Sequence, residues 1–154
     1  MAAPPPRQRR SARVILLDEK GRTLLIRFSV VRRGVDVHFW ATPGGGVEAG
    51  EEPLKAARRE AAEELGVQLD LVGPVHESRD RFEHEGEIVD GVDVFFLGRS
   101  ASSAPKLRWA AEAERKAMRE LRWWSADEID ASDETIFPPC LGQLVRRLAA
   151  DPRP

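Results

Sequence analysis

Three carboxylates crowd one short segment. In RREAAEEL, residues 58–65, Glu60, Glu63 and Glu64 stand three, four and one positions apart. Ala, Leu, Glu and Arg all favour helix, and residues three and four apart are neighbours on a helix surface. The three acids therefore share one side. Like charges at that spacing destabilise a helix by roughly 0.2–0.5 kcal/mol per pair. Glu63 and Glu64 also fall in the last turn, where the macrodipole disfavours negative charge by about 0.3–1 kcal/mol per group. Two readings account for such a cluster. One is a solvated acidic face. The other is a site for a hard divalent cation such as Mg²⁺, which takes carboxylate and water oxygens and turns the repulsion into coordination.

The flanking residues favour the second. Gly45 to Val67 read GGVEAGEEPLKAARREAAEELGV. This stretch resembles the Nudix box, the signature of the Nudix hydrolases, with Gly45, Glu51, Arg59, Glu60, Glu63, Glu64, Gly66 and Val67 at its fixed positions. Ala61 stands where the box usually has a larger aliphatic residue, a departure that concerns packing. The WATPGGG lead-in (40–46), the opening hairpin and the closing RWW and IFPP segments are also similar to the family. The resemblance covers roughly residues 12–150.

The resemblance implies a Nudix fold, an α/β/α sandwich around a mixed β-sheet. It implies Mg²⁺- or Mn²⁺-dependent hydrolysis of a nucleoside diphosphate linked to another moiety. The substrate would be a small-molecule diphosphate, and family members are often homodimers. Glu60, Glu63 and Glu64 would bind the metal, with Glu60 or Glu63 also eligible as the base on water. Arg59 would orient a catalytic carboxylate and pair with Glu51, a reading favoured over that of a surface Arg pairing with Glu63. Gly44 and Gly45 would bring bare backbone close to the metal and phosphates, and Gly66 would end the helix. Arg27 is either an exposed strand residue or a phosphate contact. Relatives often recruit a further acid from a distant segment; Glu114 is the expected one and Asp93 the runner-up. Where MutT-type relatives carry a base-contacting Asn after the FPP turn, this chain has Leu141. The alternative is a nucleotide sensor on the same fold, though such modules often lose box acids and this chain keeps all three.

The elements that must position these residues are legible in outline. RVILLDEKGRTLLIRF (13–28) holds two apolar runs around a polar stretch with Gly21, a hairpin signal. Residues 29–38 mix charge and apolar character and read as a loop. The glycine-rich 39–53 reads as a loop of special geometry. Pro53 suits a first helical turn, and the helix should run to Leu65 with Gly66 as its left-handed cap. On a wheel, Leu54, Ala57, Ala61 and Leu65 form an apolar stripe beside the acid stripe. Strand material follows at 67–82, a turn at 83–91, and a strand at 92–99. A short strand is expected at 121–125, where Trp123 and Trp124 must face opposite ways. One would be core and the other is a candidate cover for the substrate pocket. Ser125 and Glu128 have capping-box spacing. Leu141, Leu144, Val145 and Leu148 predict a C-terminal amphipathic helix.

Size and charge exclude several classes. The 154 residues suggest one domain, expected to span 12–150 between a disordered tail (1–11) and a loose end (151–154). A net charge of −2 and a pI of about 6.0 offer no electrostatic reason to expect a nucleic-acid polymer or an anionic membrane as partner. No apolar run approaches the ~20 residues of a membrane span. One cysteine, Cys140, can form no internal disulfide, which fits a cytoplasmic location. His38, His76 and His84 lack metal-ligand spacing to one another.

Overall fold

Residues 5–84, 86–100 and 118–151 are described by the structure, a computed structural model. Its organising strand is β1 (Arg7–Leu17), whose side chains alternate between two cores. Val14 and Leu16 face one layer, and Ile15 and Leu17 the other. The first layer holds α1 (Pro53–Leu65) through Ala56, Ala57 and Leu65. The second holds α2 (Ala126–Ala131) and α3 (Leu141–Ala150) through Ile129, Leu141, Leu144, Val145 and Leu148. Helices thus cover both faces of one mixed sheet, the expected α/β/α sandwich.

The remaining strands are β2 (Thr23–Arg32), β3 (Val35–Ala41), β4 (Gly44–Gly46), β5 (Leu71–His84), β6 (Glu87–Arg99), β7 (Met118–Trp124) and β8 (Ile136–Phe137). The main path of the sheet runs β5-β6-β1-β2-β3-β8. β1 and β6 are parallel over their whole shared length, Arg7–Leu17 beside Val89–Arg99. The β1–β2 hairpin forms at its turn, where the Asp18 carboxylate accepts the backbone N–H of Lys20 and Arg22 at 2.9 and 2.8 Å. It then splays after the single pair Leu17↔Thr23. Into the opening comes β4, antiparallel to β1, with Ser11, Ala12 and Arg13 opposite Gly46, Gly45 and Gly44. β2 pairs instead with β3 and β7.

Four expectations need correction. Residues 39–53 are not wholly a loop, since β3 reaches Ala41 and Gly44–Gly46 pair with β1 as β4. Residues 29–38 are not a loop: Arg33 and Gly34, both at positive φ, make a two-residue turn that joins β2 to β3 in register. Positive φ at both central positions matches the twist of paired strands, and the mixed residues around it simply hid the alternation. The 83–91 turn is confined to its centre, since β5 reaches His84 and β6 begins at Glu87. The strand β1 begins inside the stretch expected to be disordered. Arg7–Arg10 satisfy their backbone against Val89–Val92, which a basic, Pro-preceded sequence does not advertise.

The capping box at Ser125 and Glu128 is formed, with reciprocal bonds of 3.1 and 2.9 Å. Trp123 and Trp124 do face opposite ways: Trp124 is in the α3-side core, edge-on to Trp40, and Trp123 packs against the α1-side core. Trp124 is thus the core member of the pair, and Trp123 is only partly buried. No helix among the described residues is long and apolar enough to cross a membrane.

Candidate active site

The acid helix forms over the expected residues. Pro53 occupies its first turn, and Gly66 closes it at φ 69°, its N–H bonded to the Ala62 carbonyl at 3.0 Å. Burial then decides between a solvated face and a built site. Glu60 is 4% exposed and Glu64 1%. Charges are not placed in that environment without partners, so this is not a solvated face. The apolar stripe is correspondingly shifted: Ala56, Ala57, Ala61 and Leu65 are fully buried, while Leu54 is only half-buried.

Arg59 organises the cluster. Its Nε and one terminal nitrogen donate to the two oxygens of Glu51, each at 2.9 Å. That terminal nitrogen also donates to the Gly46 carbonyl at 3.0 Å. The other reaches Glu60 at 3.1 Å and Glu63 at 3.4 Å. One guanidinium thus ties the glycine strand, the loop acid and two helix acids together, a task for its planar fork of donors. Glu51 also accepts the backbone N–H of Glu48 at 3.0 Å. The Arg59 bonds, aided by the Glu48 N–H, lower the Glu51 pKa from an ordinary 4.5 to about 2. Arg59 is in turn held more firmly protonated, chiefly by its bonds to Glu51.

The glycine strand lies against this cluster. A Cβ on Gly45 would come 2.6 Å from the Glu60 carboxyl carbon, so bare backbone is what lets Glu60 reach the strand. Gly44 sits at φ 145°, and a Cβ there would collide with the Ala12 carbonyl. Gly44 and Gly45 are thus required by close approach.

The described residues contain no group of three His, Cys, Asp or Glu side chains that would by itself enclose a metal ion. Glu60 and Glu63 lean on Arg59 instead. The donor chemistry nevertheless fits a small hard cation. Mg²⁺ keeps several waters and needs only one or two carboxylates beside substrate phosphates, and Gly45 sets bare backbone directly against the Glu60 carboxylate.

Other expected residues fall elsewhere. Arg27 is half-buried in β2, paired with Trp40 and Glu120. Asp93 lies on β6, 3.6 Å from the Nε of Arg13. Glu114 lies outside the described residues. A cavity of about 340 Å³ opens on the other side of β1 from α1, lined among others by Arg13, Phe39, Asp93, Phe95 and Phe137. Arg27 is not among its lining residues. Arg13, Phe39 and Phe137 escaped the sequence reading because they are far apart in the chain; the only local signal was an Arg interrupting the apolar side of β1. His76 sits in β5, within the strand expected there, its Nε2 3.5 Å from the Cys140 Sγ.

The sequence profile of the NUDIX domain matches residues 7–147. The chain belongs to the NUDIX family. It is 30% identical to the oxidized purine nucleoside triphosphate hydrolase of Danio rerio over 139 residues, covering 88% of this chain and 81% of that protein. Its likeness to the RNA pyrophosphohydrolase of Roseobacter denitrificans is stronger but local. There the identity is 49% over 49 residues, 32% of this chain and only 31% of the relative. The MutT protein of Methanosarcina mazei shares the fold, with a TM-score of 0.66 at 20% identity over 94% of this chain and 95% of that one. The NUDIX match also begins at Arg7, where β1 begins.

Proposed function

We propose that this NUDIX protein is a divalent-metal-dependent hydrolase. It cleaves a pyrophosphate bond in a small nucleoside diphosphate linked to another group. One observation carries the reading: Arg59 gathers Glu51, Glu60, Glu63 and the Gly46 carbonyl beside backbone that has no side chain. The relatives' names point the same way, to hydrolysis of nucleotide-linked phosphates.

Glu60, Glu63 and Glu64 would hold Mg²⁺ or Mn²⁺. When bound, such an ion screens the charge of the diphosphate and acidifies a coordinated water. Arg59 fixes the rotamers of Glu60 and Glu63, which supports a pre-set geometry for them. Glu63 has the more open side chain, 39% exposed against 5% for Glu60. That favours Glu63 as the acceptor of the attacking water's proton. The Gly44–Gly45 backbone, held against Arg13 and Glu60, is the proposed neighbour of the phosphates, and Arg27 is retained as a secondary phosphate contact. Glu114 is the proposed additional acid; its replacement by Gln should lower turnover by about 10²–10⁴ if it is a general base.

The test is a panel of nucleoside triphosphates, nucleotide sugars and dinucleotides, assayed for released phosphate or pyrophosphate. Activity should vanish in excess chelator and return with Mg²⁺ or Mn²⁺. Full activity without metal would overturn the reading.

A further inference from the structure

We propose that Arg13 and Asp93 read the base of the nucleotide and select guanine. The inference takes its nucleotide from the function proposed above and adds where, and how, the base is distinguished.

The cavity on the far side of β1 adjoins the glycine strand. Arg13 lines it and is also the register partner of Gly44. A Cβ on Gly44 would touch the Arg13 side chain, 2.8 Å from its Cδ. A ligand held at the acid cluster beside Gly45 would therefore have this cavity, walled by the strand partner of the adjacent Gly44, as the neighbouring space for its next group. At about 340 Å³ the space falls at the small end of the range for ligand pockets. Its walls suit a flat ring: Phe39 and Phe137 meet edge to face at 5.6 Å, with Phe95 beside them. Aromatic faces of this kind stack with any base and so do not discriminate among bases.

Discrimination needs polar groups, and the cavity offers a distinctive pair. Arg13 Nε and Asp93 Oδ1 stand 3.6 Å apart, with side chains 22% and 35% exposed. That distance is too long for a hydrogen bond. Neither side chain makes a hydrogen bond to another described residue. A guanidinium with five donors and a carboxylate with two acceptor oxygens thus lie side by side along one wall. The complementary edge is one with acceptors next to two adjacent donors. Guanine has it: O6 and N7 accept from Arg, the commonest specific contact to this base, while N1–H and the N2 amino group can each meet one carboxylate oxygen. Adenine and cytosine offer a single donor nitrogen beside a ring acceptor, and uracil a single ring N–H. Each would leave one oxygen of a partly buried carboxylate without a partner. The position where an Asn would otherwise follow the FPP turn is Leu141, fully buried in the α3-side core, so it cannot share this role.

The experiment is calorimetric titration of the full chain with GMP, AMP, CMP and UMP, which contain no pyrophosphate bond. GMP should bind tightest. Asp93→Asn presents an N–H₂ to the ring N–H and should weaken GMP by about ten- to a hundredfold, the scale of a lost bidentate base contact. It should change the other three much less. Arg13→Gln should reduce the GMP preference similarly. Melting by circular dichroism checks the fold of each variant; if Asp93→Asn does not fold, Arg13→Gln and the wild-type comparison decide. Equal binding of all four nucleotides by wild type overturns the proposal, as does an equal loss for all four in the variants. Hydrolysis without base preference would defeat this inference and leave the hydrolase reading intact. A GMP preference in a protein that cleaves no diphosphate would do the reverse.

Discussion

Arg59 and Glu51, eight residues apart, meet through two parallel N–H···O bonds of 2.9 Å each. The bond joins the loop after the glycine strand to the middle of the acid helix. Everything else that Arg59 touches is a candidate member of the site. Lysine cannot reproduce a bidentate fork. Arg59→Lys should therefore misplace Glu60 and Glu63 and cut turnover by about 10²-fold, the scale seen for small positional errors. Steady-state rates would test this; turnover within a few-fold of wild type would show that Arg59 does not orient the acids.

Acid should act on the same pair. The Glu51 pKa is lowered from 4.5 to about 2, first by its bonds from Arg59 and then by the Glu48 N–H. A depressed folded-state pKa contributes stability that is fully present above about pH 4.5 and is lost as pH falls towards 2. Urea unfolding across that window should show a steeper loss in wild type than in Glu51→Gln. Parallel profiles for the two proteins would contradict the assignment.

Gly45 should not tolerate a methyl group. Its Cβ would stand 2.6 Å from the Glu60 carboxyl carbon, and Glu60 is too buried to swing clear. Gly45→Ala should lower stability by about 1–3 kcal/mol, the usual cost of overpacking, and lower activity with it. Denaturant unfolding and turnover measured on one preparation provide the check. A stable, inactive variant would mean that Glu60 moved without cost to the fold.

Removal of residues 1–10 should now be destabilising, where a disordered tail would predict no change. The deletion takes away four parallel pairs of β1 with β6 and the Arg10 carbonyl that accepts the Val47 N–H at 2.9 Å. A drop in melting temperature of at least a few degrees is expected, since about 1 kcal/mol corresponds to roughly 2–4 °C in a domain of this size. An unchanged melting curve would return Arg7–Arg10 to the status of a tail.

By itself the sequence determined the acid helix and its ends. Pro53, the spacing of Glu60, Glu63 and Glu64, and Gly66 act within one or two turns, so local rules suffice. The same holds for the Ser125 capping box and for α3, whose Leu141, Leu144, Val145 and Leu148 announce their period. The tertiary structure decided what local rules do not contain. Whether three acids are solvated or buried depends on what packs beside them, and that is Gly45 on a strand threaded into a splayed hairpin. The extent of β1 depends on β6, about eighty residues away, which supplies the backbone partners for Arg7–Arg10. The pairing of Arg13 with Asp93 likewise follows from sheet register. A side chain announces its own chemistry, but which opposite charge it meets is set by strands that only folding brings together.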